Sequence, residues 1–371
     1  MQGFDLAVVG ASFAGLACAG AAAARGVRTV VLDRKREAGA RVRTTGLVVK
    51  EAAEAWDLPG RLVRPLSRVR VHFPSGRTID VDAPGAYLLA TDTPALLRWL
   101  AERARECGAE VRFFRDVAAL LRRREGFELP EADLRARFVV GADGARSRVA
   151  TALGLGRNRA FLRGAEVELE GVRGPSADLV HCLLDPELAP GYLAWVVPGV
   201  GTTQVGLACR PPAPPRIGPL LRRFARLLDL SRARIVGRRG GPIPVGGIVR
   251  PLHADGALLV GDAAGMASPL TAGGIATALR FGRRAGHLVA DHLLDGGAEP
   301  GAALFRELPS WLGKRLLRAA YDRLPLVAAA DAALASPLVR AVARRVFFHR
   351  WRARPAAPVT ASPSRLASRG G

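Results

Sequence analysis

Two glycine-bearing turns with acidic partners lie far apart in this chain and are built to grip one ligand. The first is Val8-Val9-Gly10-Ala11-Ser12-Phe13-Ala14-Gly15, followed further on by Asp33 and Arg34. The second is Leu259-Val260-Gly261-Asp262-Ala263-Ala264, followed by Ser268-Pro269-Leu270-Thr271-Ala272-Gly273-Gly274-Ile275. A glycine turn that opens a helix presents backbone amides and the positive end of the helix dipole to a phosphate. A carboxylate closing the next strand accepts from ribose hydroxyls. One such loop suits any dinucleotide. A second turn returning from so far down the chain points to a cofactor longer than NAD, hence to FAD and redox chemistry.

The elements that must position these residues are readable. Phe4 to Val9 is an apolar strand, residues 14–25 form a helix of small residues, and Arg28 to Leu32 is a second strand closed by Asp33. This is a β-α-β unit of about 30 residues. Gly10 permits the tight turn, and the amides near Ala14 and Gly15 face the pyrophosphate. Ser12 stands where a second glycine normally lets the backbone approach. It adds a small Cβ and a hydroxyl able to bond phosphate. Three apolar runs end alike, in Val8-Val9-Gly10, Val139-Val140-Gly141 and Leu259-Val260-Gly261. Ligands of doubly wound sheets sit outside the carboxyl ends of the strands, so one sheet gathers three loops. The middle loop continues Ala142-Asp143-Gly144-Ala145-Arg146-Ser147.

On these residues the sequence resembles the flavoprotein superfamily of p-hydroxybenzoate hydroxylase. The resemblance implies that Asp143-Gly144 and Gly261-Asp262 flank FAD, with the Asp262 carboxylate on a ribityl hydroxyl. It implies that Gly273-Gly274-Ile275 opens a helix aimed at the flavin pyrimidine ring. A helix N-terminus stabilises the negative charge that reduced flavin carries near N1 and O2. Ile275, Leu279, Gly282, Gly286 and Val289 share one face of that helix, and the glycines are expected to bring it close to the sheet.

The branch is suggested by Tyr192-Leu193-Ala194-Trp195-Val196-Val197-Pro198, followed by Val205-Gly206-Leu207. This resembles the substrate-domain motif of geranylgeranyl reductases. Flavin-dependent halogenases carry Trp-x-Trp ahead of the proline, and Leu193 in the first position argues against halogenation. Thr44-Thr45-Gly46-Leu47-Val48 occupies the place of a cysteine-containing loop in many members, so no redox cysteine acts there. Thr93 stands where the superfamily usually has an arginine. The resemblance spans about residues 4–295. Thr44, Thr45, Tyr192 and Trp195 are expected near the substrate, although aromatics on half-buried strands also simply pack.

The chain has 371 residues, enough for two domains with a substantial core. Lys+Arg number 55 against 33 Asp+Glu, a net charge of +22. Only Lys35, Lys50 and Lys314 are lysines, as a GC-rich coding bias would produce. Residues 301–371 hold 13 Arg/Lys and 3 Asp/Glu. No nucleic-acid motif accompanies the charge, so nucleic acid is not an expected partner. An anionic membrane surface is the better candidate. Leu304, Phe305, Leu308, Trp311, Leu312, Leu316 and Tyr321 fall mainly on one side, with Arg315 and Arg318 among them and Pro309 starting or kinking the helix. Phe347, Phe348 and Trp351 lie among further arginines. Cys18, Cys107, Cys182 and Cys209 show no metal-ligand spacing and are expected to stay reduced in a cytoplasmic, peripherally membrane-associated protein. The first strand begins at once, which predicts no signal peptide. No uncharged apolar run is long enough to span a bilayer.

The expected fold is α/β, α+β overall. A Rossmann-like FAD-binding domain takes 1–50, 86–158 and 250–296. An inserted antiparallel-sheet substrate domain takes 51–85 and 159–249, with a strand near Arg68 to Phe73 and a helix at 218–228. Residues 297–352 are expected to be helical and 353–371 a disordered tail. The leading function is a FAD-dependent reductase of a small apolar substrate, such as an isoprenoid lipid. The alternatives are a FAD-dependent monooxygenase and a membrane-associated electron-carrying flavoprotein. NAD(P)H or a protein electron donor would load the flavin, although no second nucleotide unit is present. No catalytic residue is assigned. His72, His181 and His253 are proton-donor candidates by type alone.

Overall fold

The strand Gln2–Val9 (β1) becomes apolar on both faces from Leu6 onward, as a strand inside a parallel sheet must. It pairs in parallel with Thr29–Leu32 (β2) on one side and Leu134–Gly141 (β11) on the other. Glu110–Arg112 (β8) extends the sheet beyond β2, and Ala257–Leu259 (β18) extends it beyond β11, both in parallel. His253–Ala254 (β17) closes the edge antiparallel to β18. The chain is described by a computed structural model over residues 1–82, 87–174, 176–225, 227–323 and 326–332, with positions 336, 337 and 341. A hairpin of Leu121–Arg123 (β9) and Gly126–Leu129 (β10) is added beside β11. The sequence reading does not anticipate it, because Arg122-Arg123-Arg124 carries no strand pattern.

Helices Phe13–Ala23 (α1) and Ile275–Asp295 (α6) run from loops at the carboxyl ends of the strands. The small residues of α1 let the two helices approach closely. A Cβ on Gly282 would collide with the Ala14 backbone, and one on Gly286 with the Cys18 carbonyl. The glycines of α6 therefore press on α1 rather than on the sheet. The contact differs from expectation because α1 itself covers the strands there. Thr93–Glu106 (α3) packs on the other side of α1, starting at Asp92, whose carboxylate accepts from the Ala95 amide at 3.1 Å.

A second sheet has the order Arg234–Pro244 (β16), Phe161–Glu170 (β12), Thr203–Cys209 (β15), Ala194–Pro198 (β14), Leu179–Leu183 (β13), Arg68–His72 (β5) and Thr78–Asp82 (β6). It is antiparallel except at β13–β5, which run parallel. Helix Ile217–Phe224 (α5) covers one face through Leu220 and Phe224. The other face meets a three-stranded sheet of Leu47–Val49 (β3), Leu88–Thr91 (β7) and Val63–Leu66 (β4), packing Val71, Cys182 and Val197 against Leu66, Leu88 and Ala90. That small sheet draws strands from both stretches of sequence that flank residue 50.

Helix Pro300–Glu307 (α7) stops ahead of Pro309, and Leu312–Arg323 (α8) begins after Trp311, whose φ is 50°. The expected single apolar side is divided. Leu304 is buried, whereas Leu312, Leu316 and Leu317 of α8 face solvent. The inner face of α8 holds Arg318 and Tyr321, because the Gly191 and Tyr192 carbonyls accept from them. The expected tail and the cluster around Phe347, Phe348 and Trp351 lie outside the described residues. Among the described residues no helix is long and apolar enough to cross a membrane.

Candidate active site

The two glycine turns, at 10–15 and 261–274, meet at the carboxyl edge of the first sheet. Gly10 has φ +113° and lies against the Ala142 carbonyl, where no Cβ fits. A Cβ on Gly261 would come within 2.8 Å of the Ala14 Cβ. The loops after β1, β11 and β18 are thus in mutual contact. Ser12 is extended at φ −125° and makes no side-chain cap to α1. It takes the second-glycine position without backbone strain. Phe13, Ala14 and Gly15 form the first turn of α1, their amides at its open N-terminus.

Asp33 is 7% exposed and already engaged. Its Oδ2 accepts from the Ala11 amide at 2.7 Å, and its Oδ1 from the Lys35 amide at 2.8 Å. The Lys35 ammonium lies 3.4 Å away. The carboxylate therefore ties the glycine loop to the end of β2. Arg34 beside it is exposed.

Asp143 accepts from the amides of Arg148 and Val149 at 2.6 and 3.2 Å. It fixes the Gly144 turn onto the short helix Arg148–Ala152 (α4). Asn158, which sequence reasoning missed, joins two of the loops. Its Nδ2 donates to the Ala145 carbonyl at 3.1 Å and to the Asp262 carbonyl at 2.8 Å. The Asp262 side chain is open to solvent, yet enough protein surrounds it to push its carboxyl up to about 6. A Cβ at Gly274 would lie 3.5 Å from its Oδ1, so Asp262 faces the start of α6. Gly273 and Gly274 precede Ile275 there, and no side chain caps that N-terminus.

This cradle fits a flavin dinucleotide on its own geometry. It offers two uncapped helix N-termini, a loop too tight for side chains and an accessible carboxylate between them.

The four residues expected near the substrate come together. Trp195 on β14 lies opposite Gly206 on β15, Gly206 opposite Glu166 on β12, and Glu166 opposite Arg239 on β16. All four therefore share one face of the second sheet. The indole crosses over Gly206, where a Cβ would stand 2.6 Å from the ring. Its Nε1 then donates to Glu166 Oε2 at 2.8 Å, and the Thr45 hydroxyl donates to the same oxygen at 2.6 Å. Arg239 donates to the Thr44 carbonyl at 2.9 Å and pairs closely with Glu168. Tyr192, like Trp195, Ile243 and Ala272, packs against the buried cluster of Leu162, Ala208 and Val245, and its hydroxyl donates to the Thr271 carbonyl. Burial pushes the Tyr192 phenol well above its ordinary range.

Glu166, Arg239 and Gly206 escaped the sequence reading as site residues. Thr93, in the place of the usual arginine, bonds Thr91 at 2.9 Å and lies against Gly46. The three candidate histidines stand elsewhere. His72 and His181 form a pair at 2.9 Å, and His253 lies 3.3 Å from Glu299. The four cysteines are free, and burial pushes the Cys18 and Cys182 thiols up to about 12.

Sheet, cradle and glycine loops define a flavoprotein of the FAD-binding class. Residues 4–184 match the family model described as FAD binding domain. Digeranylgeranylglycerophospholipid reductase 2 of Methanopyrus kandleri is 33% identical over 318 residues, covering 78% of this chain and 77% of its own. Reductase 1 of the same organism is 34% identical over 308 residues, covering 78% and 80%. The solved structure of a geranylgeranyl bacteriochlorophyll reductase-like protein from Thermoplasma acidophilum superposes with a TM-score of 0.82 at 20% identity, covering 93% of this chain and 96% of that one. The chain belongs to the geranylgeranyl reductase family and is a FAD-dependent oxidoreductase.

Proposed function

We propose that this protein reduces C=C bonds of an isoprenoid or similarly apolar lipid by hydride transfer from reduced flavin. The carrying observation is that Trp195 and Tyr192, on one strand and its approach, are tied to two separate loops. Trp195 reaches Thr45 through Glu166, and Tyr192 reaches Thr271 directly. An aromatic wall would thus be fixed against the cofactor from both sides. The reductases of digeranylgeranylglycerophospholipid named above support an isoprenoid chain as the substrate class.

Bound flavin would supply the hydride-donating centre, and the residues of this chain would hold and orient it. Gly10, Ser12, Phe13, Ala14 and Gly15 would cradle the pyrophosphate. Asp33 and Arg34 would lie at the adenosine ribose, with Asp33 also holding the loop. Asp143 and Gly144 would border the cofactor, and Asp262 would accept from a ribityl hydroxyl. The amides at Gly273, Gly274 and Ile275 would meet the pyrimidine edge. Thr44, Thr45, Tyr192 and Trp195 would orient the substrate. NAD(P)H or a protein electron donor would load the cofactor.

The apolar substrate would be drawn from a lipid surface. Leu312, Leu316 and Leu317 are exposed on α8 beside Lys314 and Arg315, in a chain of net charge +22. Apolar side chains flanked by cations suit an anionic bilayer surface. Co-sedimentation with vesicles containing phosphatidylglycerol, lost in Leu316→Glu, would support peripheral contact. Equal pelleting of the two proteins would remove it.

The reaction is tested with protein photoreduced without oxygen and mixed with a geranylgeranyl ether lipid. Flavin reoxidation with a two-hydrogen mass gain in the lipid is expected. Oxygen incorporation into an added substrate, with the lipid unchanged, would favour a monooxygenase. Reoxidation by protein acceptors alone would favour an electron carrier.

A further inference from the structure

We propose that Glu166 is the proton store of the substrate site, delivering through the Thr45 hydroxyl the hydrogen that an alkene takes up as a proton. The inference rests on the alkene-reductase reading above and names the residue that reading lacks.

The geometry sets Glu166 apart from an ordinary surface carboxylate. It is 4% exposed, on a sheet face shared with an indole. Its Oε2 receives both the Thr45 hydroxyl and the Trp195 N–H, while its Oε1 is buried without a hydrogen-bond partner. The charged groups facing it are Arg239 on β16 and Glu168 on its own strand. From β15 only Gly206 faces it, and the loop before β3 contributes Thr45. Arg239 spends its close contact on Glu168 and leaves 3.7 Å to Glu166 Oε1. Two carboxylates share one guanidinium, the side chains of Glu166 and Arg239 being buried and that of Glu168 partly exposed. The member farther from the cation gains most from holding a proton. Burial pushes the Glu166 carboxyl upward, against the hydrogen bonds from Thr45 and Trp195 and the charge of Arg239.

Thr45 makes the store usable. A hydroxyl donates and accepts at once. When Glu166 is protonated on Oε2 this hydrogen bond reverses: the carboxyl donates to the Thr45 oxygen and the Thr45 proton turns to the substrate carbon, so one proton leaves Glu166 as the other is delivered. In the balanced reaction the π bond is lost and two C–H bonds form. One carbon receives hydride with both its electrons from the reduced flavin, which is oxidised. The other carbon binds the proton with the former π pair. Glu166 is left as a carboxylate and regains a proton from water before the next turnover. The histidine pair is not placed for this task. His181 neighbours Cys182 on β13, and it is Cys182 that stands opposite Trp195, so His181 points to the other face.

Two measurements test the proposal. In flavin-free protein, the tryptophan fluorescence difference between the protein and Trp195→Phe is followed against pH. A transition clearly above the ordinary glutamate value of about 4.3, absent in Glu166→Gln, is expected. A transition at the ordinary value, or one that survives in Glu166→Gln, would overturn the proposal. In the photoreduced holoenzyme, reoxidation by a geranylgeranyl ether lipid should slow by about 100-fold or more in Glu166→Gln. Its pH dependence should vanish, and Glu166→Asp should restore part of the rate. Thr45→Val should slow the same step yet keep a fluorescence transition above the ordinary value. A Glu166→Gln enzyme with the wild-type rate and pH profile would sink the proposal alone. A wild-type enzyme that reduces no lipid would sink the alkene reading as well.

Discussion

The Tyr192 hydroxyl donates to the Thr271 carbonyl oxygen at 2.5 Å, joining the approach to β14 with the loop that launches α6. Tyr321 of α8 in turn donates to the Tyr192 carbonyl at 3.0 Å. Helix α8, the aromatic wall and the glycine loop thus form one connected unit. Tyr192→Phe keeps the ring and leaves the Thr271 carbonyl without this partner. The expected cost is about 1–3 kcal/mol, read as a lower urea midpoint with unchanged slope. FAD affinity should fall as well, because the loop would be less firmly held. An unchanged midpoint together with unchanged flavin affinity would show that the bond fixes nothing.

Gly206 gives Trp195 its path to Glu166. An added methyl would stand 2.6 Å from the indole and force it away. Gly206→Ala is expected to cost about 1–3 kcal/mol from overpacking. It should also break the Trp195–Glu166 bond and shift the emission of that indole. Flavin binding should survive, since the cradle lies in the first sheet. Loss of flavin with normal stability would contradict this separation.

Helix α6 approaches α1 because Gly282 and Gly286 have no side chains, Gly282 at Ala14 and Gly286 at Cys18. Gly282→Ala must push the helices apart at Ala14, within the first turn proposed to cradle the pyrophosphate. The expected loss is about 1–3 kcal/mol, with reduced flavin content in the purified protein. Arg283→Ala, one residue along on the half-buried side of the helix, serves as the comparison and should retain its flavin.

The residues that sequence reasoning located best are those whose conformation is locally forced. Gly10 must turn out of an apolar strand, and Ile275 to Val289 must bury one helical face, so both are legible from short windows. Glu166 is illegible for the opposite reason. Glu166, Glu168 and Glu170 alternate with Val167 and Leu169, a pattern that reads as one solvated face. Burial of Glu166 depends on Arg239 and Trp195, which reach it only through the strand order of the second sheet. Asp33 was expected at a ribose, and its bond to the Ala11 amide comes from the loop folding back on the strand end. In the sequence Arg318 falls among the apolar residues of α8, with no partner legible for it. It is buried because the Gly191 carbonyl and Asp322 receive its donors.

Asp262 supplies a pH dependence whose sign is fixed. The protein packed around this accessible carboxyl raises it from an ordinary 3.8 to about 6 in the flavin-free protein. Between those values the folded state binds more protons than the unfolded chain, so stability falls as pH rises. The contribution is fully present below about pH 4 and lost above about pH 6. Asp262→Asn should flatten that part of the stability curve, as measured by denaturant midpoints across the window. The same residue should act oppositely on the cofactor. An ionised carboxylate accepts a ribityl hydroxyl more strongly than a protonated one, so FAD should bind more tightly as pH rises through 6, with proton release detectable by calorimetry in two buffers. The wild-type protein would then grow less stable when empty and bind FAD more tightly over one interval, while Asp262→Asn would show neither trend. PH-independent FAD affinity in the wild type would place the carboxylate outside the cofactor site.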